Sequence, residues 1–244
     1  MTILALDSST EILSVWFGRT TEPETEGSGL VLDTGLRHGS QLMPLVDEVL
    51  RSHGAALTDV DLVASSGGPG SFMGLRIGVS TAKGLAEALA ARRRLQRPPL
   101  VLVPTLESIV SASNEDGFLL PVIDARKQRY YGALFLDGTR VTPDADLSPT
   151  ELYADATTHT NGAPIILTGP HAQMFYQDVV GEEALSAGSA ALSVSADSRS
   201  GYARGVWRRA EKLYHTEGPA PRDCGPTYIR ASDAEISKRT RQQP

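Results

Sequence analysis

The chain has 244 residues, 41% of them hydrophobic, a formal net charge of −6 and a single cysteine, Cys224. This length supports one or two domains with a genuine core, and the acidic balance excludes a dominant basic surface for nucleic acid. The lone cysteine excludes an intrachain disulfide and a multi-cysteine metal site.

Hydropathy and the first residues predict a cytosolic location. No apolar run approaches the ~20 residues that span a bilayer. Residues 1–7 lack the basic region of a signal peptide and lead straight into a strand pattern. Two basic stretches, residues 92–97 and the tail with Lys238, Arg239 and Arg241, predict a solvated helix end and terminus rather than an RNA patch. We expect no membrane partner.

Strands and helices alternate through the first half of the chain. Residues 20–29 are rich in Thr, Glu, Gly and Pro and predict a hairpin loop. Helical spacing over residues 40–53, with Pro44 tolerated only near a helix start, predicts a helix beginning at 38–40. A longer helix is predicted over 71–91. The predicted strands cover residues 3–6, 12–17, 30–32, 61–65 and 100–103.

The second half repeats this order more faintly. Its strands are predicted at residues 118–123, 130–136 and 164–167, and its helix at 202–215. A strand that ends on an aspartate, Asp7 or Asp124, opens each half. The pattern predicts an α/β fold with an internal duplication. One domain would cover residues 1–104, and a degenerate second one 105–244, with a tail that could pack back on the first.

The turn after the first strand, Asp7-Ser8-Ser9-Thr10, admits two interpretations. Its carboxylate could hold a metal-bound water while its hydroxyls and amides cradle phosphate. The same residues are also ordinary turn chemistry. Asp7, Ser8, Ser9 and Thr10 are therefore candidates for a degenerate phosphate loop only.

The stretch GGPGSFMGLRIG at residues 67–78 is the most distinctive in the chain. It is neither a Walker A loop nor a dinucleotide fingerprint, because its glycine spacing is wrong and no Gly-Lys-Ser/Thr follows. The helix it opens has a core stripe of Leu75, Val79, Ala82, Ala86 and Leu89. A second stripe beside it contains Gly74, Ile77, Gly78, Thr81, Leu85 and Ala88. Together they form a non-polar arc of about 200°, against the roughly 100° of a one-sided surface helix.

Three glycines in this helix need a physical reason. Gly74, Gly78 and Gly84 each cost the helix about 1 kcal/mol relative to alanine. A close neighbour must offset this cost. The sequence leaves two alternatives open: helix 40–53 of the same chain crowds the glycines, or a partner protein does.

Residue patterns of the common hydrolases are absent from the sequence. The histidines, at 38, 53, 159, 171 and 215, include no i, i+4 pair and no H-E-x-x-H motif. No G-x-S-x-G is present. Asp124 is a candidate general base, although a lone Asp after a strand is more often a turn residue. We expect no catalytic residue, no metal and no cofactor.

Several ordered motifs resemble the bacterial TsaB family, also called YeaZ, of tRNA threonylcarbamoyladenosine biosynthesis proteins. They are ILALDSST at 3–10, HGSQ at 38–41, GPGSFMGLRIG at 68–78, PTL at 104–106, VIDARKQRYYGALF at 122–135 and PTYIR at 226–230. The resemblance covers nearly the whole chain. It implies two duplicated actin/hexokinase/sugar-kinase-like (ASKHA) domains, each a mixed sheet with flanking helices.

The resemblance also implies a function. It indicates a non-catalytic subunit for threonylcarbamoyl transfer to the adenosine beside the anticodon of tRNAs that read codons beginning with A. The implied partners are the paralogous transferase TsaD and the ATPase TsaE, with tRNA bound only through the complex and a homodimer formed when the chain is alone. The implied partner interface contains Leu42, Val46, Ser71, Phe72, Gly74, Ile77, Gly78, Thr81 and Leu85.

The chain departs from the family and superfamily patterns at three places. Met73 stands where the family usually has Thr. Arg126 is bulky where superfamily kinases bring a glycine-rich turn to phosphate, and Pro170 follows Gly169 where their adenosine loop has paired glycines. These departures weaken the alternative function, an ATP-dependent small-molecule kinase on the same fold. A metalloprotease, a label given to relatives, lacks the metal ligands.

Overall fold

The computed structural model describes residues 1–20, 25–33, 35, 37–181 and 191–230. Lys238, Arg239 and Arg241 of the predicted basic tail lie outside these residues. Within the described ranges, no helix combines the length and the apolar character needed to cross a bilayer.

The first half of the chain folds around a five-stranded mixed sheet. Its elements are β1 (Thr2–Asp7), β2 (Ile12–Thr20), β3 (Thr25–Asp33), α1 (His38–Ser52), β4 (Leu62–Ser66), α2 (Phe72–Arg93), β5 (Leu100–Val103) and α3 (Thr105–Ala112). The sheet order is β3-β2-β1-β4-β5. β1, β2 and β3 are antiparallel neighbours, and β4 and β5 continue parallel to β1. Every residue of the central strand β1 is buried, as expected for a strand covered on both faces.

The second half repeats this arrangement. Its elements are β6 (Phe118–Asp124), β7 (Tyr130–Gly132), β8 (Phe135–Leu136), β9 (Thr139–Arg140), β10 (Ala145–Leu147), α4 (Pro149–Thr157), β11 (Ile165–Thr168), α5 (Ala172–Gly181), β12 (Leu192–Val194) and α6 (Ala203–Glu217). The order β10-β7-β6-β11-β12 has the same strand directions as the first sheet. The β8–β9 hairpin is an addition to this repeated pattern.

Two sequence predictions need correction. The hairpin loop predicted at residues 20–29 is shorter, because β2 and β3 pair as far as Thr20 and Thr25. The single strand predicted over 130–136 is interrupted between β7 and β8. In the β6 register the interruption lies opposite Pro121, which cannot donate a ladder hydrogen bond. Next to the interruption, Leu134 donates its N–H to Thr142 Oγ1 at 2.9 Å.

The last helix of each half packs on the sheet of the other half. Val206 and Trp207 of α6 join the core of the first sheet, whereas Leu106 and Ile109 of α3 pack against the second. The two helices cross at Gly205, where a Cβ would lie less than 3.0 Å from the backbone of α3. The domain boundary at residue 104 therefore stays a prediction, since α6 contributes to the first core from beyond it.

Candidate functional site

The turn at residues 7–10 is closed off by the protein itself. Ser8 donates its hydroxyl to the carbonyl of Gly74 at 2.8 Å, and Ser9 donates its hydroxyl to Asp7 Oδ1 at 2.7 Å. The backbone N–H of Ser71, the N-cap of α2, donates to the carbonyl of Ser9 at 2.6 Å. The four turn residues are all buried. In this conformation the hydroxyls of Ser8 and Ser9 are engaged within the chain, so the geometry does not favour the phosphate loop considered for Asp7, Ser8, Ser9 and Thr10.

Asp7 is a buried carboxylate beneath this turn. Its Oδ1 accepts hydrogen bonds from the hydroxyls of Ser9 and Ser66, at 2.7 and 2.6 Å. Its Oδ2 has no hydrogen-bond partner among the described residues. Burial raises the pKa of Asp7 above its ordinary value of 3.8, and the hydrogen bonds from Ser66 and Ser9 only partly oppose this. Asp7 is thus more readily neutral than an ordinary aspartate.

Two glycines of α2 pack against the same turn. A Cβ on Gly74 would lie less than 3.0 Å from the carbonyl oxygen of Ser8, and one on Gly78 less than 3.0 Å from the Ser8 hydroxyl. From helix α1, the His38 ring lies 3.2 Å from a Cβ built on Gly74. Gly74 and Gly78 are therefore buried by their own chain, and the expectation that they form part of an open interface is wrong in this conformation. Their main neighbour is the β1 turn.

The remaining predicted interface residues separate into buried and accessible groups. Leu42 and Val46 lie in the first core and cannot line a surface, which corrects their assignment. Ile77, Thr81 and Leu85 are half-buried, and Ser71 is half-buried at the helix start. Phe72 is exposed, but it lies about 140° around α2 from Ile77.

An accessible face nonetheless runs between α1 and α2. Met43 is 47% exposed and Met73 61% exposed. Gly39 and Gly84 are also exposed, and nothing lies within 4 Å of a Cβ built on Gly84. We call Gly39, Met43, Met73, Ile77 and Gly84 the α1–α2 face. The spacing of apolar residues predicts both helices, but it does not show which side of α1 packs on the sheet. For this reason the predicted interface residues on α1, Leu42 and Val46, are core residues.

A cleft of about 280 Å³ lies between the two halves. The turn after β1 and the start of α2 form one wall, and the β6–β7 loop forms the other. Residues of the cleft include Glu11, His38, Asp124, Arg126, Lys127, Tyr131, His171, Tyr228 and Arg230. His38 Nε2 is 2.6 Å from the carbonyl oxygen of Thr10.

Glu11 connects the two walls of this cleft. Its carboxylate accepts a hydrogen bond from Arg199 at 2.8 Å and lies 3.5 Å from His171 Nε2. The backbone N–H of Asp124 donates to His171 Nδ1 at 3.0 Å, so the Nδ1 atom carries no proton in this arrangement. Burial lowers the pKa of His171, although Glu11 opposes the shift. The contacts among Glu11, Arg199 and His171 therefore connect the two halves of the chain, and the His171 ring is neutral in this arrangement.

The end of the described chain crosses the first half and reaches the cleft. We call residues 220–230 the C-terminal strap. Ala220 N donates to Leu100 O, and Thr227 N donates to Gly67 O at 2.7 Å. Lys83 of α2 donates to the carbonyl of Cys224 at 2.8 Å. The sequence marks residues 226–230 only as a family motif, because none of these contacts is local in sequence.

The chain is similar to known proteins of one family. A family model for TsaD, the tRNA N6-adenosine threonylcarbamoyltransferase, matches residues 33–158, about half of the chain. An uncharacterized protein of Mycobacterium tuberculosis (strain ATCC 25618 / H37Rv) is 30% identical over 179 residues, covering 71% of this chain and 75% of that protein. The TsaB protein of Escherichia coli (strain K12) is 35% identical over 138 residues, 54% of each chain. This chain belongs to the TsaB (YeaZ) family.

The fold agrees with this assignment. The structure of YeaZ from Pseudomonas aeruginosa superimposes with a TM-score of 0.69 at 24% identity, covering 93% of this chain and 99% of that one. The two sheets with the same strand order and directions confirm the predicted α/β fold with an internal duplication. The match to the curated E. coli TsaB spans about half the length of that relative.

Proposed function

We propose that this chain is a non-catalytic scaffold or activator subunit for threonylcarbamoyl transfer to the adenosine beside the anticodon of tRNAs that read codons beginning with A. It would act with TsaD and TsaE, and would meet tRNA through the complex. The observation that carries the proposal is membership of the TsaB family. A cytosolic location stays a prediction from the sequence.

The α1–α2 face supports a role in binding another protein. Met43 and Met73 are largely exposed, and methionine adapts its shape to a partner surface. Small residues at Gly39 and Gly84 allow a second helix to approach the backbone closely. We propose that TsaD packs on this face, and that a second copy of the chain occupies it when TsaD is absent.

The β1 turn supports a non-catalytic role. In the alternative kinase, the first-domain turn would have to bind phosphate. Here the hydroxyls of Ser8 and Ser9 donate hydrogen bonds to Gly74 O and Asp7 Oδ1. The backbone N–H of Ser71, at the start of α2, donates to the carbonyl of Ser9. Releasing these groups would break buried hydrogen bonds, each with a net value of about 1 kcal/mol.

Two measurements test the proposal. The tagged chain should capture TsaD from an extract of its own cells, and its depletion should lower the threonylcarbamoyladenosine content of tRNA. The purified chain should give no heat in a calorimetric titration with ATP and magnesium. Saturable ATP binding with phosphoryl transfer to a small molecule would favour the kinase. Threonylcarbamoyl transfer by the chain without TsaD would contradict the non-catalytic role.

A further inference from the structure

Two aromatic rings are stacked at the mouth of the cleft. Phe72 at the start of α2 and Tyr228 of the strap have ring centroids 4.9 Å apart and planes inclined by 32°. They are 39% and 41% exposed. The guanidinium of Arg76 lies 5.3 Å from the centroid of Phe72. The strap thus places Tyr228 against Phe72, and part of this aromatic pair stays open to solvent.

Cationic side chains line the same cleft as this pair. Arg126 of the β6–β7 loop is 84% exposed, and Arg230 of the strap lies in the same cleft, reaching the carbonyl of Ala125 at 3.4 Å. Glu11 accepts a hydrogen bond from Arg199, and Asp124 Oδ2 lies 3.7 Å from the guanidinium of Arg126. Among the described residues that line the cleft, the cations Arg126, Lys127 and Arg230 outnumber the carboxylates of Glu11 and Asp124, and Glu11 is also paired with Arg199. The balance of charge at the mouth therefore favours an anionic ligand.

The loop that carries Arg126 has an uncommon backbone. Arg126, Lys127 and Gln128 all have positive φ, at 65°, 58° and 56°. Left-handed conformations cost residues other than glycine roughly 1–2 kcal/mol each. Asp124 helps to hold the loop, because its carboxylate caps the N–H of Arg126 at 2.7 Å. The fold maintains this arrangement, which projects Arg126 from the wall opposite Phe72.

We propose that this surface, the basic–aromatic rim of Phe72, Tyr228, Arg126 and Arg230, binds a nucleotide of single-stranded RNA. One base would stack on the exposed part of the aromatic pair, and Arg126 and Arg230 would contact the adjoining phosphates. Aromatic platforms flanked by cations are the general means of binding unpaired nucleic acid. The rim is open at the protein surface, so a chain can enter and leave it. The choice of RNA as the polymer rests on the proposed function.

The rim supplies only a few phosphate contacts, so the lone chain binds RNA weakly and only at low salt. The test uses the full-length chain and a fluorescein-labelled oligouridine of about 12 nucleotides, a length within the site sizes of such platforms. Affinity is measured by fluorescence anisotropy over a range of salt concentrations. Circular dichroism of each variant establishes that it is folded.

Tyr228 and Arg126 have matched controls. Tyr228→Ala should weaken binding about tenfold, whereas Tyr228→Phe keeps the ring and should bind as the wild type does. Arg126→Gln should weaken binding and reduce the salt slope by about 0.7. Arg92→Gln makes the same charge change about 30 Å from Phe72 along α2 and should have no effect.

Four results would overturn the rim. The first is no RNA binding by the wild type at low salt, and the second is equal affinity for RNA of Tyr228→Ala and Tyr228→Phe. The third is an equal effect of Arg126→Gln and Arg92→Gln on RNA affinity. The fourth is displacement of the RNA by AMP at an equal nucleotide concentration. The last result would identify a free nucleotide as the ligand. Capture of TsaD is measured separately, so a chain that captures TsaD but binds no RNA overturns the rim and leaves the proposed function intact.

Discussion

Gly78 of α2 lies so close to Ser8 that a Cβ at this position would come within 3.0 Å of the serine hydroxyl. That hydroxyl is fixed by its hydrogen bond to the carbonyl of Gly74. Glycine at positions 74 and 78 of α2 therefore allows a buried turn of the same chain to pack closely against the helix. A residue with a side chain at 78 would push the helix from the turn or break the serine bond.

We predict that Gly78→Ala destabilises the protein by about 1–3 kcal/mol, the usual cost of overpacking. Gly84→Ala is the matched control in the same helix. Nothing lies within 4 Å of its Cβ, so the higher helix propensity of alanine should stabilise the fold by up to about 1 kcal/mol. Urea unfolding followed by circular dichroism measures both. Equal free energies of unfolding for the two variants would mean that the turn at Ser8 moves to accommodate the new methyl group without loss of stability.

The α1–α2 face gives a prediction about assembly. Gly84→Arg should prevent capture of TsaD and should also shift any homodimer to monomer in size-exclusion chromatography. The open surroundings of Gly84 and the good helix propensity of arginine leave the fold intact. Gly78→Arg is unsuitable for this test, because it would strike Ser8 inside the chain.

Gln96→Arg, at an exposed site just beyond the end of the same helix, adds the same charge and is the control. If Gly84→Arg is folded and still captures TsaD at the wild-type level, the partner binds elsewhere on the chain. Loss of TsaD without loss of the homodimer would separate the two interfaces.

Asp7 should make the fold less stable as pH rises. Its pKa is raised in the folded state, so the folded protein holds this proton more tightly than the unfolded chain does. Stability therefore falls as pH rises from the ordinary value of 3.8 towards the raised one. Asp7→Asn removes this titration while keeping an acceptor for Ser9 and Ser66.

The difference in unfolding free energy, Asp7→Asn minus wild type, should therefore increase with pH above 3.8. Urea titrations at a series of pH values measure it. A difference that decreases with pH would mean that the ionised carboxylate is favoured in the fold, and that burial does not control its pKa.

Short buried helices account for much of what the sequence did not predict. In α3, six of eight residues are buried, including Thr105 and Ser108, and only Glu107 and Ser111 form a polar side, so the helical period extends over just two turns. α1 and α2 were predictable because their patterns extend over several turns. For the site, the glycine spacing in α2 signalled a close approach, but Ser8 lies 66 residues before Gly74 and no local pattern connects them.

The cluster around Glu11 gives a prediction of opposite sign. Because the pKa of His171 is lowered in the fold, the unfolded chain takes up this proton first as pH falls. The contribution of neutral His171 is therefore fully present above the ordinary pKa of 6.5 and is lost as pH falls from there towards the lowered value. Protonation would also place a proton on Nδ1, where the N–H of Asp124 now donates.

We predict that His171→Gln flattens the loss of stability between pH 7 and pH 5, whereas His159→Gln, at an exposed site in the same half, does not. Urea unfolding at the two pH values measures the slopes. Because Glu11 and Arg199 join the two halves at this cluster, the loss at low pH should appear as a loosening between them, seen as faster amide exchange in β6 and in the β1 turn. A wild-type slope unchanged by His171→Gln would mean that the contact between His171 and Glu11 persists with the ring protonated, and that other groups carry the acid sensitivity of the fold.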